Sequence, residues 1–300
     1  MPRVNVGAVD IGTNSVRLLI TDAQGRELDR RMQITRLGQG VDVTKSLHPE
    51  AIARTVSVLA EYGAALRAHG VTRIRAAATS AARDADNSAL FFDAAEKALG
   101  ARPELLPGEE EALLSFRGAT AGLDLSQGPF LVIDIGGGST EFVLGSEAPE
   151  ALISVNIGCV RVTERYLKSD PPSAPELAAA EAEIARVLGS VKAAVPVERA
   201  KRTIGLAGTI TALASLAQGL RHYDPTRTHR ALLTRDEVEE WFVRLASANV
   251  ESRRGMLAEP KRAEVIVGGA LVLRTLLRRF DIRALMVSEA DILDGLAASL

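Results

Sequence analysis

Apolar positions along this chain recur in two periods, alternating between short strand-like runs and longer helix-like stretches. Val4–Val9 reads as a buried strand, and Ser15–Thr21 as a second strand after a short turn. Glu50–His69 carries apolar residues at helical spacing, and Gly70 is placed to end that helix. Arg73–Ala78 is a short strand, Asn87–Leu99 a helix closed by Gly100, and Glu109–Gly118 a further helix. Gly122–Pro129 is polar and rich in turn residues, which marks a domain junction. Phe130–Asp134 and Thr140–Leu144 then repeat the strand–turn–strand pattern. Ser173–Val195 is an Ala- and Glu-rich helix after the Pro171-Pro172 break, and Thr203–Ala207 is a strand entering a helix at Gly208-Thr209. Thr234 and Glu237 form a capping box for a helix through Leu245. Lys261–Phe280 reads as one long apolar helix, and Ala284–Ser288 as the last strand. Such alternation predicts an α/β protein. The expected domains are 1–124 and 125–300, with the last helix free to pack back on the first domain.

Within this pattern one unit occurs twice. Val9-Asp10-Ile11-Gly12-Thr13-Asn14-Ser15 resembles Ile133-Asp134-Ile135-Gly136-Gly137-Gly138-Ser139. Each unit is an apolar strand ending in Asp, a glycine turn, a hydroxyl residue and a second strand. Glycine lets a backbone approach a phosphate closely, and successive N–H groups in such a turn make an anion-binding concavity. Thr13, Asn14, Ser15, Ser139 and Thr140 add side-chain donors. An aspartate beside a phosphate repels it unless a cation lies between, so Asp10 and Asp134 imply Mg²⁺, or Mn²⁺, held largely through water. A single Asp-Gly turn is ordinarily a hairpin closure; two matched units, one with three glycines in a row, point to a ligand. A strand follows these glycines where a P-loop or dinucleotide fingerprint needs a helix. Gly205-Leu206-Ala207-Gly208-Thr209 is a third glycine element, placed at a helix N-terminus that favours anions.

Composition narrows the field. The chain has 300 residues, 47% hydrophobic and 25% charged, which is ordinary for a globular protein. Aromatics are only 4%, so Ala, Val, Leu and Ile must build the core. A formal net charge of −2 argues against a general nucleic-acid binder while leaving room for local recognition of an anion. Cys159 is the single cysteine, which excludes an intrachain disulfide and points to a reducing cytoplasm. It reads as a small buried residue rather than a catalytic thiol. No apolar run approaches the ~20 residues of a membrane span, and Asp10 inside the first apolar segment argues against a signal peptide.

The two Asp-Ile-Gly units and the third glycine element resemble the sugar kinase, actin and heat-shock chaperone ATPase superfamily. Within it the chain resembles, over its whole length, the exopolyphosphatase and guanosine pentaphosphate phosphohydrolase (Ppx/GppA) family. The resemblance rests on the run from Asp10 to Arg17, Ala78-Thr79-Ser80-Ala81-Ala82-Arg83, Gly108-Glu109-Glu110-Glu111-Ala112, the run from Asp134 to Glu141, and Gly208-Thr209. Tyr223-Asp224-Pro225 with His229, and Val287-Ser288-Glu289, add to it. It implies two ribonuclease-H-like domains with mixed sheets flanked by helices, an active site in the cleft between them, and hydrolysis of terminal phosphate from polyphosphate, from pppGpp, or both. It implies Glu111 as the catalytic base and Glu141 as a second essential acid, acting on metal or on water. Asp10 and Asp134 would position the metal, alongside Glu141 in the metal reading. Phosphate contacts would come from Gly12, Thr13, Asn14, Ser15, Arg17, Arg83, Gly136, Gly137, Gly138, Ser139, Thr140, Gly208 and Thr209, with Arg262 a further candidate. Partners would be polyphosphate or (p)ppGpp and a second copy of the chain, with no nucleic acid and no membrane.

The residues alone leave Glu109, Glu110 and Glu111 equivalent; only the resemblance selects Glu111. His229 reads as a loop or packing histidine, and Arg278-Arg279 as a solvated helix face. Pro107 replaces a serine common in the family. The ending Glu289-Ala290-Asp291-Ile292-Leu293-Asp294-Gly295 departs from the usual Gly-Leu-Arg-Glu-Gly type and loses a positive charge. The length matches the short form, without the helical domains of longer relatives. Two other functions compete: a small-molecule kinase of the same superfamily, which needs an acceptor pocket, and a non-catalytic (p)ppGpp sensor, which needs neither Glu111 nor Glu141.

Overall fold

The computed structural model describes residues 4–300. The chain forms two compact units, Met1–Gly118 with Asp291–Leu300, and Ala119–Ala290. Each is an α/β unit built on a mixed sheet flanked by helices.

The first sheet contains β1 (Val6–Ile11), β2 (Ser15–Thr21), β3 (Glu27–Ile34), β4 (Arg73–Ala78) and β5 (Glu104–Leu105) in the order β3-β2-β1-β4-β5. β1, β2 and β3 are antiparallel neighbours, while β4 runs parallel to β1. Side chains alternate across the sheet. Val9 and Ile11 of β1, with Val16, Leu18 and Ile20 of β2, face a core shared with α2 (Pro49–Ala68) and α4 (Ser88–Leu99). Short helices α1 (Val41–Thr44) and α3 (Ser80–Arg83) flank the loops, and α5 (Gly108–Thr120) follows β5. Ala8, Leu19 and Ala77 face the other way, against Leu114 and the C-terminal residues Ile292, Leu293 and Leu296. Asp10 and Arg17 lie on this second face by the same alternation.

The second sheet repeats the plan with β6 (Phe130–Ile135), β7 (Thr140–Gly145), β8 (Pro149–Val155), β9 (Arg202–Leu206), β10 (Leu232–Thr234) and β11 (Ala284–Val287), in the order β10-β11-β9-β6-β7-β8. Again a three-stranded antiparallel meander, β6-β7-β8, has a parallel strand, β9, on its inner edge. Helices α6 (Cys159–Tyr166), α7 (Ala174–Ala194), α8 (Ala207–Ala217), α9 (Pro225–Thr228), α10 (Arg235–Ala246), α11 (Val250–Met256) and α12 (Ile266–Arg279) complete this unit. Leu131, Ile133, Ile135, Phe142 and Leu144 form its core with Ile184 and Leu188 of α7 and Leu271 of α12. Phe142 meets Phe280 edge-on, with ring centroids 6.0 Å apart. The final helix, α13 (Ile292–Ala298), belongs to the first unit.

One expected element divides. The stretch Lys261–Phe280 is a 3₁₀ turn at Pro260–Arg262 followed by α12 from Ile266. Glu259 caps the turn at the Lys261 N–H, and the Arg262 guanidinium lies against Gly208. Among the described residues no helix is long and apolar enough to cross a membrane.

Candidate functional site

The first glycine loop joins β1 to β2. Its turn closes with the Gly12 N–H donating to the Ser15 carbonyl at 2.9 Å. The Thr13 carbonyl accepts from the Gly38 N–H at 2.8 Å, so the Asn14 N–H, on the same trans peptide, points the opposite way. Thr13 Oγ1 lies 2.9 Å from Ser80 Oγ at the start of α3, anchoring the loop. The Asn14 side chain is buried, and neither its Oδ1 nor its Nδ2 has a hydrogen-bond partner among the described residues. Leaving such a carboxamide unsatisfied is costly, which marks the loop as a place where a ligand or water completes the bonding.

Asp10 and Arg17 are register partners on β1 and β2. Arg17 forks onto Asp10 Oδ2, with Nε at 3.0 Å and Nη2 at 2.7 Å. Its remaining nitrogen, Nη1, is bonded to Asp291 Oδ2. Burial pushes the Asp10 carboxyl above its usual range; Arg17 opposes this and the Asp291 charge adds to it. Nearby, Arg83 ends α3 and donates from Nη1 to the Leu106 carbonyl at 2.7 Å and to Glu111 Oε2 at 3.4 Å. The three acids that open α5 differ sharply. Glu109 is exposed, Glu110 pairs with Arg75 at 2.7 Å, and Glu111 is buried beside Arg83.

The second loop, Gly136–Ser139, closes in the same way, with the Gly136 N–H donating to the Ser139 carbonyl at 3.0 Å. Its other carbonyls are taken up by the N-terminal turn of α6. The Gly136 carbonyl accepts from the Cys159 N–H at 3.0 Å, and that of Gly137 from the Val160 and Arg161 N–H groups at 2.9 and 3.1 Å. Arg161 Nε donates to the Gly138 carbonyl at 2.7 Å. Each trans peptide sets its N–H opposite its carbonyl, so the N–H groups of Gly137, Gly138 and Ser139 all point away from α6. Three successive N–H groups turned one way form an anion-binding nest. The close approach depends on Gly158, where a Cβ would lie 2.5 Å from the Gly137 carbonyl carbon.

Asp134 and Glu141 are register partners and face the same side of the second sheet. Glu141 is only 1% exposed, and Ser154 Oγ donates to its Oε1 at 2.7 Å from β8. Thr140 Oγ1 donates to the Ile157 carbonyl at 2.6 Å, so its hydroxyl hydrogen braces the loop. The third element begins α8. Ala207 has φ 69°, a left-handed conformation uncommon for a residue with a Cβ, and Gly208 follows it. A Cβ on Gly208 would lie 1.9 Å from Arg262 Nη1, so the guanidinium lies directly against this glycine. Arg262 also bears on Cys159, whose buried thiol is pushed up by desolvation against the opposing Arg262 charge.

The structure thus gathers Asp10, Gly12, Thr13, Asn14, Ser15 and Arg17 at the first loop, with Arg83 and Glu111 paired in the same unit. It gathers Asp134, Gly136, Gly137, Gly138, Ser139, Thr140 and Glu141 at the second, and sets Arg262 on Gly208 beside Thr209. Two contributors escaped the reading of the sequence: Asp291, and Arg161, which fixes the triglycine turn. Asp291 had a signal, since an acid immediately before the apolar pair Ile292-Leu293 is an N-cap signature. His229 accepts from the Glu289 N–H at 3.2 Å through Nδ1, and Arg278 pairs with Glu239 at 2.7 Å through Nη2. For a metal, the residues offer carboxylate oxygens, which suit Mg²⁺ or Mn²⁺ over softer ions. No group of three or more His, Cys, Asp or Glu side chains among the described residues is arranged to cage an ion. Mg²⁺ typically keeps several of its waters and needs no all-protein cage, so carboxylate oxygens of this kind fit it.

Comparison with known proteins agrees with this fold. The chain is 44% identical over 317 residues to exopolyphosphatase 2 of Mycobacterium tuberculosis, covering 100% of this chain and 99% of that one. It is 30% identical over 309 residues to a guanosine-5'-triphosphate,3'-diphosphate pyrophosphatase of Vibrio vulnificus, covering 97% of this chain and 58% of the relative. The crystal structure of an exopolyphosphatase-like protein superposes with a TM-score of 0.94 at 35% identity, covering 98% of both chains. The Ppx/GppA phosphatase family matches residues 20–300, and the chain belongs to that family.

Proposed function

We propose that this chain is a phosphoanhydride hydrolase that removes the terminal phosphate of inorganic polyphosphate, of pppGpp, or of both. The observation that carries the reading is the second loop: three carbonyls committed to α6 and Arg161, and three N–H groups turned the other way. Such donors are pre-organised for phosphate oxygens and need no rearrangement when charge develops there. Family membership supplies the reaction class.

In this reading both glycine loops grip phosphate, with Asn14 and Ser139 adding polar contacts and Arg262 adding charge beside Gly208-Thr209. Glu111 takes the proton of the attacking water, and Arg83, bonded to its Oε2, holds the carboxylate in place. A water attacking in line at the terminal phosphorus expels the rest of the chain as a good leaving group. Asp10, Asp134 and Glu141 are the residues that would hold Mg²⁺. When bound, the cation neutralises phosphate charge.

The deciding experiment is a parallel phosphate-release assay on short polyphosphate, long polyphosphate, pppGpp and ATP. Release from at least one of the first three, in preference to ATP, is expected. A purified, folded protein that releases phosphate from none of them overturns the reading.

A further inference from the structure

Asp291 is an acid that the reaction scheme above does not use, yet it is 4% exposed and reaches the first loop. Its two oxygens have separate duties. Oδ1 accepts from the Leu293 N–H at 3.0 Å, as the N-cap of α13, in a capping box completed by Asp294. Oδ2 takes Arg17 Nη1. The other edge of the same guanidinium is forked onto Asp10 Oδ2. Arg17 is therefore shared by two carboxylates brought from opposite ends of the chain. Asp294 behind them is bonded to Arg30 at 2.6 Å, so its charge is directed away from Arg17. Three of the five guanidinium N–H donors of Arg17 are thus directed at carboxylates, which compete with any phosphate for this side chain.

We infer that Asp291 is a positioning residue that restrains Arg17, so that substrate phosphate competes with a carboxylate for this arginine. The inference rests on the reading of the first loop as a phosphate grip. Its consequence is a weakened hold on the phosphate chain, set by Asp291 and exerted through Arg17. Removing the Asp291 charge frees a donor edge and tightens phosphate binding. The cap need not be lost, because Asn and Ser serve as N-caps about as well as Asp.

The experiment measures binding of tripolyphosphate to metal-free protein by calorimetry, for wild type, Asp291→Asn, Asp291→Ser, Arg17→Ala and the double variant Arg17→Ala/Asp291→Asn. Thermal unfolding checks that each is folded. Both Asp291 variants are expected to bind about three- to tenfold more tightly than wild type, and the gain is expected to vanish in the Arg17→Ala background. In turnover assays the same change lowers KM more than it alters kcat. Unchanged or weaker binding in the folded Asp291 variants overturns the inference, as does a gain that persists without Arg17. Wild-type protein that neither binds tripolyphosphate nor releases phosphate overturns the functional reading, and the inference with it.

Discussion

Arg17 and Glu141 occupy the same position in two copies of one hairpin. Each is the register partner of the aspartate near the end of the preceding strand, Asp10 for Arg17 and Asp134 for Glu141. The first copy sets a cation against its aspartate, while the second sets a further carboxylate there. The two hairpins share a backbone plan and differ in the charge set beside the aspartate.

If Asp10, Asp134 and Glu141 hold Mg²⁺ as proposed, a chelator stops phosphate release and added Mg²⁺ restores it. Glu141→Gln should raise the Mg²⁺ concentration needed for half-maximal rate by roughly tenfold or more. Titrating Mg²⁺ in both proteins is the measurement; full hydrolysis in excess chelator removes the metal from the scheme.

Glu111→Gln keeps the size of the side chain and its ability to accept from Arg83, but it removes the base. Turnover should fall by about 10²–10⁴-fold with tripolyphosphate affinity retained. Single-turnover kinetics and calorimetry on the same preparation separate the two effects. A wild-type rate would return Glu111 to the status of a buried structural acid.

Gly158→Ala tests the nest. The added Cβ meets backbone 2.5 Å away at Gly137, where no side chain can swing clear. The triglycine turn must deform, so phosphate affinity should fall by about tenfold or more, with about 1–3 kcal/mol of stability lost. Gly208→Ala is the contrast, because its Cβ meets the mobile end of Arg262. That variant should raise KM with little loss of stability. Equal melting temperatures for Gly158→Ala and wild type would count against the tight loop–helix contact.

Glu176 supplies a pH test away from the site. Its carboxylate accepts from the Ser169 hydroxyl and from the Ser173 N–H at 2.8 Å, and these bonds lower its pKa to about 2, the Ser169 bond contributing most. The folded value lies below the ordinary 4.5. The stabilisation is therefore complete above that ordinary value and is lost as pH falls towards the folded one. Chemical denaturation between these limits should show a smaller acid-induced loss for Glu176→Gln than for wild type. Identical slopes would show that the contact does not form in solution.

Much of this arrangement was legible in the chain. Asp10 and Asp134 stood out because each ends an apolar strand and precedes glycine, a local pattern that a short window displays. Lys261–Phe280 misled because its first residues belong to a separate 3₁₀ turn, opened by Pro260 and capped by Glu259, and the helix itself begins at Ile266. The Arg17–Asp291 pair was beyond reach for a related reason. Its partners are 274 positions apart, and nothing in either neighbourhood names the other. Among Glu109, Glu110 and Glu111, composition offers no distinction; burial on the helix supplies it.

The assignment of Asp291–Leu300 to the first unit has a consequence for biosynthesis. Gly118 and Gly295 mark where this segment seats: a Cβ on Gly118 would lie 1.8 Å from the Asp291 carbonyl oxygen, and one on Gly295 would lie 2.2 Å from the Leu114 carbonyl oxygen. At about 5–20 residues per second, a ribosome needs roughly ten seconds to half a minute to make the intervening unit. Throughout that interval the nascent first sheet leaves Ala8, Leu19 and Ala77 without the Ile292, Leu293 and Leu296 side chains that cover them. The amino-terminal unit is started first and completed only when Asp291–Leu300 has been made.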